Sequence, residues 1–250
     1  MSLRTLDTME EKNKKNELKR ICLEEILRQK TVIFNECVMS NQHIIVDGTR
    51  IDLRPITYID LPISSPHYLN AVGGYIHSLQ EVTNYRSLCG IATQGLSCSY
   101  SASSKYNIPT IYFKKTPQEY GTRSHFAGRL TSDQAPVLLV DNLVYSGKTF
   151  NLAISKLEEL NIPIAGLFTV VKFETSFNEL SQGNKLFYLL TVKEIYDYLI
   201  QNNYFPKNIE KFIKLFIEDQ TLFHSNSEIY RQYLAELNKL NRIDSANQIL

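Results

Sequence analysis

The sequence predicts an α/β fold built on a mostly parallel, doubly wound sheet. Short apolar runs alternate with helical segments through the middle of the chain. One of these runs, Val137–Val140, is continuously apolar, as in strands that are buried on both faces, and Ile164–Val171 is expected to be another buried strand. Ligands of such sheets bind beyond the carboxyl ends of the strands, near the point where strand order reverses. The loops after residues 90, 113 and 140 are therefore the expected site.

The N-terminal part of the chain is expected to form a helix and short strands. Apolar residues recur every four positions over residues 10–30, which predicts the helix. The strands are expected at 31–34, 43–46 and 50–53. A second helix is expected to begin at Ser65-Pro66 and to reach about Val82, because serine is a good N-cap and proline fits the first helical position.

The later elements alternate and then become helical. Strands are expected at 87–90, 108–113, 137–140, 164–171 and 185–191. Helices are expected at 95–106, after Lys148-Thr149, and at 192–202, 208–219 and 227–238. The helix after Thr149 should bury a stripe formed by Phe150, Ala153, Ile154 and Leu157. Residues 114–129 are polar and aperiodic, which predicts a long loop.

The composition favours a soluble globular protein over a nucleic-acid-binding, membrane or secreted protein. The chain has 250 residues, of which 43% are hydrophobic and 21% charged, so it can bury a sizeable core. A net charge of +1 gives no support for a nucleic-acid partner. No apolar run approaches the roughly 20 residues that span a membrane, and no secretory signal is recognisable, so we expect no membrane partner. A cytoplasmic location with four reduced cysteines is the expectation.

Metal-ligand patterns were sought among the cysteines and histidines. The four cysteines form no C-x-x-C pair, and the five histidines have no H-E-x-x-H spacing. The sequence therefore predicts no metal site that is made of protein side chains alone.

The segment Val137–Thr149 suggests a phosphate site. Its strand ends in Asp141-Asn142, and a turn of Tyr145, Ser146 and Gly147 leads to Lys148-Thr149 at the start of a helix. Turn amides, a helix N-terminus and a lysine together favour a phosphate. The alternative is an ordinary turn capped by Ser146 or Thr149. A Walker A loop is disfavoured, because Asn142 stands where its first glycine belongs.

The same segment resembles the phosphoribosyl pyrophosphate motif of type I phosphoribosyltransferases, and the orotate phosphoribosyltransferase family most of all. Further segments resemble that family's motifs in the same order. They are its early strand at Arg50–Arg54, its pyrophosphate loop at Leu88–Leu96, Asn107–Pro109 with Phe113–Lys115, its mobile catalytic loop at Thr116–Thr122 and its last strand-to-helix junction at Thr191–Ile195. The resemblance covers roughly residues 15 to 203.

The resemblance implies a domain organisation. Residues 1–204 would form a phosphoribosyltransferase-like domain of the type I fold, with a small N-terminal hood at about 10–65 and a core at about 66–204. Residues 205–250 would form an appended helical tail. The apolar positions of this tail need a surface to pack on, and we expect the chain's own sheet, with a partner protein as the alternative.

The resemblance also implies a function in pyrimidine biosynthesis. Such a glycosyltransferase transfers phosphoribose from phosphoribosyl pyrophosphate to a nitrogen base, depends on magnesium and is usually a homodimer. The implied catalytic residues are Asp141, Gln118 and Lys115. The implied substrate-binding residues are Thr93, Gln94, Gly95, Lys114, Tyr120, Asn142, Tyr145, Ser146, Gly147, Lys148, Thr149 and Lys172.

Several positions depart from the family pattern. Gln118 stands where the family has its catalytic lysine, and Asn142 replaces the second acid of a pair. Lys172-Phe173 replaces an Asp-Arg pair whose arginine recognises the orotate carboxylate, and Gln94 lies near the place of a lysine that many relatives have. Two functions therefore stay open: an active enzyme with a pyrimidine-like base as substrate, or an impaired pseudoenzyme that acts as a sugar-phosphate-binding or regulatory module.

The charges around the mobile loop also allow two interpretations. Lys114 and Lys115 would bind pyrophosphate if the resemblance extends to their roles, and Arg123 would compensate for the missing lysine. The alternative is that all three are ordinary solvated surface charges.

Overall fold

The structure is a computed structural model that describes residues 3–33, 43–46, 49–52, 56–117, 124–129, 131–173 and 183–247. Contacts between residues divide the chain into two compact units. Unit 1 comprises Met1–Glu25 and Pro62–Val192, and unit 2 comprises Ile26–Leu61 and Lys193–Leu250.

Helices and strands follow one another along the described ranges. The helices are α1 (Leu3–Arg28), α2 (Pro66–Ser78), α3 (Gln80–Thr83), α4 (Gln94–Tyr106), α5 (Lys148–Glu159), α6 (Val192–Gln201), α7 (Lys207–Glu218), α8 (Gln220–Ser225) and α9 (Ser227–Asn247). The strands are β1 (Val32–Ile33), β2 (His43–Val46), β3 (Thr49–Asp52), β4 (Tyr58–Ile59), β5 (Ser87–Ile91), β6 (Thr110–Phe113), β7 (Phe126–Ala127), β8 (Val137–Val144), β9 (Ile164–Lys172) and β10 (Leu186–Thr191).

The sheet of unit 1 has the strand order β10-β9-β8-β5-β6-β7. Its neighbouring strands are parallel except β7, which runs antiparallel to β6. The chain continues from β5 to β6 on one side and places β8 on the other, so strand order reverses between β5 and β8. The predicted parallel α/β sheet is confirmed, and its switch point is where ligands of this architecture bind.

Burial explains why the central strands were predictable from their apolar runs. Ser87–Ile91 and Val137–Val140 are buried throughout, as expected for strands with neighbours and helices on both faces. The predicted stripe of α5 is buried against this core through Phe150, Ala153, Ile154 and Leu157. The loop predicted over 114–129 was wrong at β7, a two-residue edge strand that is too short to show an alternating pattern.

The start of α2 follows the predicted capping chemistry. Ser65 Oγ accepts a hydrogen bond from the Tyr68 amide at 3.3 Å and donates one to Glu25 Oε2 at 2.6 Å. Pro66 occupies the first turn. The helix ends at Ser78, however, and Gln80–Thr83 forms the separate helix α3, so the predicted single helix to Val82 was wrong.

Unit 2 combines the hood strands with the C-terminal helices. The strand pairs β1–β4 and β2–β3 are antiparallel. Aromatic rings of α7, α8 and α9 pack edge to face, with Phe223 5.5 Å from Phe216 and 6.0 Å from Tyr233. The Tyr233 hydroxyl donates to the backbone carbonyl of Ile56. The aromatic positions of the tail thus pack within unit 2. Helix α8 was not predicted, because it is only six residues long.

A membrane-crossing helix was also sought. Within the described ranges, no helix combines the length and the apolar character that crossing a bilayer requires.

Candidate functional site

Helix α4 begins directly against the end of β8. A Cβ atom placed on Gly95 would lie 2.6 Å from the Val140 carbonyl oxygen and 2.9 Å from the Asp141 Cα. Both are backbone atoms, so a larger residue would force the helix and the strand apart. Glycine at this position therefore brings the first turn of α4 to Asp141.

Two of the predicted site residues meet across the switch point. The Asn142 side chain donates from Nδ2 to Gln94 Oε1. The Asn142 backbone amide donates to Asp141 Oδ1 at 2.8 Å. The end of β8 is thus bonded sideways to the beginning of α4.

Asp141 is a desolvated carboxyl group. Burial raises its pKa from the ordinary 3.8 to about 7, although the hydrogen bond from the Asn142 amide and the charge of Lys115 act in the opposite direction. A carboxyl group in this state gains most from a ligand that brings hydroxyl donors or a cation.

Lys115 reaches this site from the end of β6. Its charge acts on Asp141 even though its side chain is exposed, so it is more than a remote surface charge. The backbone of the preceding residue is held in place, because the Lys114 amide donates to the His125 carbonyl at 2.7 Å. The second contact joins the Lys114 carbonyl oxygen to His125 Nδ1 at 2.9 Å.

The strand β8 continues further than its sequence suggested. Val137–Val140 was the predicted extent, but the strand runs to Val144 and pairs with β9 from Asp141↔Thr169 to Val144↔Lys172. Polar residues end an apolar run in the sequence, yet here they keep strand geometry because the longer β9 continues beside them. Asp141 and Asn142 therefore lie on a fixed strand rather than on a loop.

The turn after β8 leads into α5 through Gly147. This residue has φ +72° and occupies the N-cap, which favours glycine because other residues rarely adopt positive φ. No side chain within the described ranges caps this helix end, so the predicted alternative of a cap by Ser146 or Thr149 was wrong. The amides of the first turn remain available to an anion.

Helix α4 has the same kind of N-terminus. Thr93 is its N-cap, and again no described side chain provides a capping hydrogen bond. The first turns of α4 and α5 carry partial positive charge. Asp141 and Asn142 lie on the strand that touches α4 and precedes α5. This arrangement suits a ligand with negative charge at two ends and hydroxyl groups between them.

Comparison with known proteins gives consistent relatives. No family model matches the chain. A uridine 5′-monophosphate synthase from Naegleria gruberi is 23% identical over 203 residues, which cover 76% of this chain and 41% of that protein. An orotate phosphoribosyltransferase from Chlamydia pneumoniae is 33% identical over 122 residues, 47% of this chain and 56% of that protein. The chain thus spans about two fifths of the length of the synthase.

Solved structures agree with these relatives. Leishmania donovani UMP synthase superposes with a TM-score of 0.60 at 18% identity, over 81% of this chain and 42% of that one. Mycobacterium tuberculosis orotate phosphoribosyltransferase, in complex with Fe(III) dicitrate, gives 0.56 at 17% identity, over 71% and 98% of the two chains. The chain has the type I phosphoribosyltransferase fold. Its sequence is similar at low identity to orotate phosphoribosyltransferases, in agreement with the resemblance of its motifs.

In this phosphoribosyltransferase fold, the predicted binding residues Tyr145 and Lys172 lie where β8 and β9 end. The Tyr145 and Phe173 rings are in edge contact, with centroids 4.9 Å apart. Lys172 Nζ lies 5.1 Å from the centre of the Tyr188 ring. Of the turn residues, Lys148 is exposed, and Ser146 and Thr149 are half-buried.

The predicted residues of the mobile loop are not all described. Gln118, Tyr120 and Arg123 lie outside the described residues. Their roles stay predictions that rest on the sequence.

Sequence reasoning missed His125. Its ring stacks nearly parallel to that of Phe113, with centroids 5.4 Å apart, in addition to its contacts with Lys114. It thereby fixes the backbone that carries Lys115. The signal would have been a short antiparallel strand after the loop, which two residues are too few to reveal.

The described part of the chain contains no group of three or more His, Cys, Asp or Glu side chains that could hold an ion. Asp141 offers one carboxyl group, and oxygen is the ligand atom that Mg²⁺ prefers. One carboxyl group fits a Mg²⁺ ion whose other ligands are oxygens of a bound substrate and water. Such an ion would also offset the cost that burial imposes on the carboxylate charge.

Proposed function

We propose that this chain binds phosphoribosyl pyrophosphate at the switch point and, with Mg²⁺, transfers the phosphoribosyl group to a pyrimidine-like base with release of pyrophosphate. The observation that carries the proposal is the position of Asp141 and Asn142 between two helix N-termini without side-chain caps. Phosphoribosyl pyrophosphate has a phosphate at one end, a pyrophosphate at the other and ribose hydroxyls between. The names of the relatives support an orotate-type glycosyltransferase.

Each part of the ligand has a matching segment. The 5′-phosphate would bind the turn 145–149, where Ser146, Thr149 and the amides of α5 donate and Lys148 adds charge. The pyrophosphate would bind the residues at 93–95, with Lys114 and Lys115 nearby. The ribose hydroxyls would donate to Asp141 and Asn142.

Asp141 would contribute through its charge and its acceptor oxygens. The carboxylate form accepts hydrogen bonds from ribose hydroxyls and stabilises positive charge that develops on the sugar. A bound Mg²⁺ ion would neutralise charge on the pyrophosphate, with Asp141 as the carboxylate at hand. Lys115 would act on the same leaving group by its positive charge.

A second candidate is a sugar-phosphate-binding module without turnover. The contact of Phe173 with Tyr145 favours it, because it places an apolar ring where the family has an arginine for the orotate carboxylate. The ammonium group of Lys172 lies over the Tyr188 ring, 5.1 Å from its centre.

A binding and a turnover assay separate the two candidates. The protein is incubated with phosphoribosyl pyrophosphate, Mg²⁺ and orotate, and the loss of orotate absorbance is followed. Turnover supports the enzyme, whereas calorimetric binding of phosphoribosyl pyrophosphate without turnover supports the module. Asp141→Ala should abolish binding under both, and retained binding would show that the site is wrongly assigned.

The same turnover assay can also test the neutral residue Gln118 of the mobile loop. If the missing lysine charge limits turnover, Gln118→Lys should raise the rate by about 10²–10³-fold, equivalent to a few kcal/mol of transition-state stabilisation. An unchanged rate would show that another departure limits the chemistry. Homodimerisation is part of the same proposal, and sedimentation equilibrium of the purified chain tests it.

A further inference from the structure

Gln94 and Asn142 face each other across the switch point. They are 48 positions apart in the sequence, yet Asn142 Nδ2 donates directly to Gln94 Oε1. One residue opens α4, beside the proposed pyrophosphate position, and the other lies on β8, at the proposed ribose position. We propose that this amide pair is a positioning device that holds the pyrophosphate half and the sugar half of the site in register. The inference rests on the proposed function and adds a role for two residues that are departures from the family pattern.

The direction of the hydrogen bond decides what each amide presents. Asn142 uses an N–H on Gln94 and retains its carbonyl oxygen, an acceptor that suits a ribose hydroxyl. Gln94 accepts this bond through its carbonyl oxygen, so its donor group is directed away from Asn142. The pair therefore orients both amides in the sense that the two halves of phosphoribosyl pyrophosphate require.

The neighbouring carboxyl group explains why a neutral pair is suitable here. Asp141 precedes Asn142 on β8, and its Oδ1 accepts a hydrogen bond from the Asn142 amide at 2.8 Å. A carboxylate at position 142 would place a like charge next to Asp141, and the two charges would repel each other. An amide at position 142 avoids this repulsion, and its NH₂ group can donate to a neutral amide at position 94. Gln94 and Asn142, which both depart from the family pattern, therefore suit each other as neutral hydrogen-bonding partners.

Gly95 gives the pair its rigid support. Its contact with the Val140 carbonyl and with Asp141 leaves no room for the first turn of α4 to move toward β8. The backbone contact fixes the distance between helix and strand, and the amide hydrogen bond fixes their sideways alignment. A ligand that reaches from one to the other depends on both.

A double-mutant cycle in the full chain tests the pair. Gln94→Ala, Asn142→Ala and the double variant are titrated by calorimetry with phosphoribosyl pyrophosphate and with pyrophosphate, each with Mg²⁺. For phosphoribosyl pyrophosphate we expect each single change to weaken binding about tenfold and the double change to add little, because either change breaks the same bond. Pyrophosphate reaches only the Gln94 half, so Asn142→Ala acts on it only through the orientation of Gln94, and the coupling between the two changes should be smaller than for phosphoribosyl pyrophosphate. Asp197→Ala, which breaks the distant helical ion pair with Lys193, is the control for unspecific change.

A conservative variant covers the case in which alanine disturbs folding. Gln94→Glu keeps an acceptor for Asn142 but brings a negative charge to the pyrophosphate, so the protein should remain folded, as circular dichroism reports, while phosphoribosyl pyrophosphate binds more weakly. Unchanged binding would overturn the donor role of Gln94. Effects that multiply for phosphoribosyl pyrophosphate, or equal coupling with pyrophosphate, would overturn the pair. Failure of the unchanged chain to bind phosphoribosyl pyrophosphate would instead overturn the proposed function, and the role of the pair with it.

Discussion

Phe173 packs edge to face against Tyr145 where β8 and β9 end, with an angle of 73° between the ring planes. The Phe173 amide also donates to the Val144 carbonyl at 3.1 Å, so the ring is attached to a paired backbone. An apolar ring held in this way offers stacking area to a flat base but no partner for a carboxylate.

Phe173→Arg should shift base selection toward orotate. A guanidinium binds a carboxylate through two parallel hydrogen bonds, and charged hydrogen bonds of about 1.5–3 kcal/mol correspond to roughly a 10- to 150-fold gain. The measurement is the affinity for orotate and for uracil in the presence of phosphoribosyl pyrophosphate and Mg²⁺. Phe173→Met, which removes the ring without adding charge, is the control. Equal changes for orotate and uracil would show that position 173 does not face the base.

Asp141→Asn should remove a pH dependence of stability. The folded protein holds the Asp141 proton more tightly than the unfolded chain, because burial raises the pKa to about 7. The resulting stability is full below about pH 4 and is lost as pH rises through 7, by about 1.4 kcal/mol of unfolding free energy per unit between these limits. Denaturant unfolding at several pH values measures this slope.

The variant should therefore be more stable than the unchanged protein at about pH 8 and similar to it at about pH 4. Asp197→Asn, at a partly exposed carboxyl group in an ion pair, serves as the control. Parallel pH profiles for the unchanged protein and Asp141→Asn would contradict the raised pKa.

Gly95→Ala should lower the unfolding free energy by about 1–3 kcal/mol, because its methyl group would overlap backbone atoms of β8. Phosphoribosyl pyrophosphate should also bind more weakly. Gly74→Ala is a matched control in α2, where the nearest atoms to an added Cβ are at ordinary distances of 3.5 Å and 3.8 Å. That control should gain up to about 1 kcal/mol from helix propensity. If both variants were equally stable, the close approach of α4 to β8 would be in doubt.

Tyr233→Phe should destabilise unit 2. The hydroxyl group is buried and donates to the Ile56 carbonyl, and its removal leaves that carbonyl without this donor. A loss of about 1–2 kcal/mol in unfolding free energy is expected, as measured by urea denaturation. Tyr58→Phe provides the comparison. Tyr58 is 51% exposed, so removing its hydroxyl should change the unfolding free energy little. A Tyr233→Phe protein as stable as the Tyr58→Phe protein would contradict the bond.

The fold was largely predictable because its strongest signals are local. The strands β5 and β9 and residues 137–140 of β8 are mostly apolar and largely buried, and the Ser65-Pro66 start of α2 depends on neighbouring residues. The end of β8 was not predictable, because Asp141 and Asn142 interrupt the apolar run and keep strand geometry only through pairing with β9.

The site was predictable in its members but not in its connections. Gln94 and Asn142 were each recognisable as departures from a family pattern, whereas the bond between them depends on how α4 meets β8. The same holds for the pKa of Asp141, which follows from burial that no sequence pattern reports. His125 escaped notice because its role depends on backbone contacts with Lys114 rather than on ligand spacing.

The construction of unit 2 from Ile26–Leu61 and Lys193–Leu250 has a consequence for the order of folding. The bond from Tyr233 to Ile56 joins residues that are 177 positions apart, so it cannot form before residue 233 has been synthesised. The strands and helices of the sheet need no such wait, because β5 to β10 and their connections lie within one continuous stretch. On the ribosome, the sheet can therefore form before the helices after residue 193 are available to the hood strands.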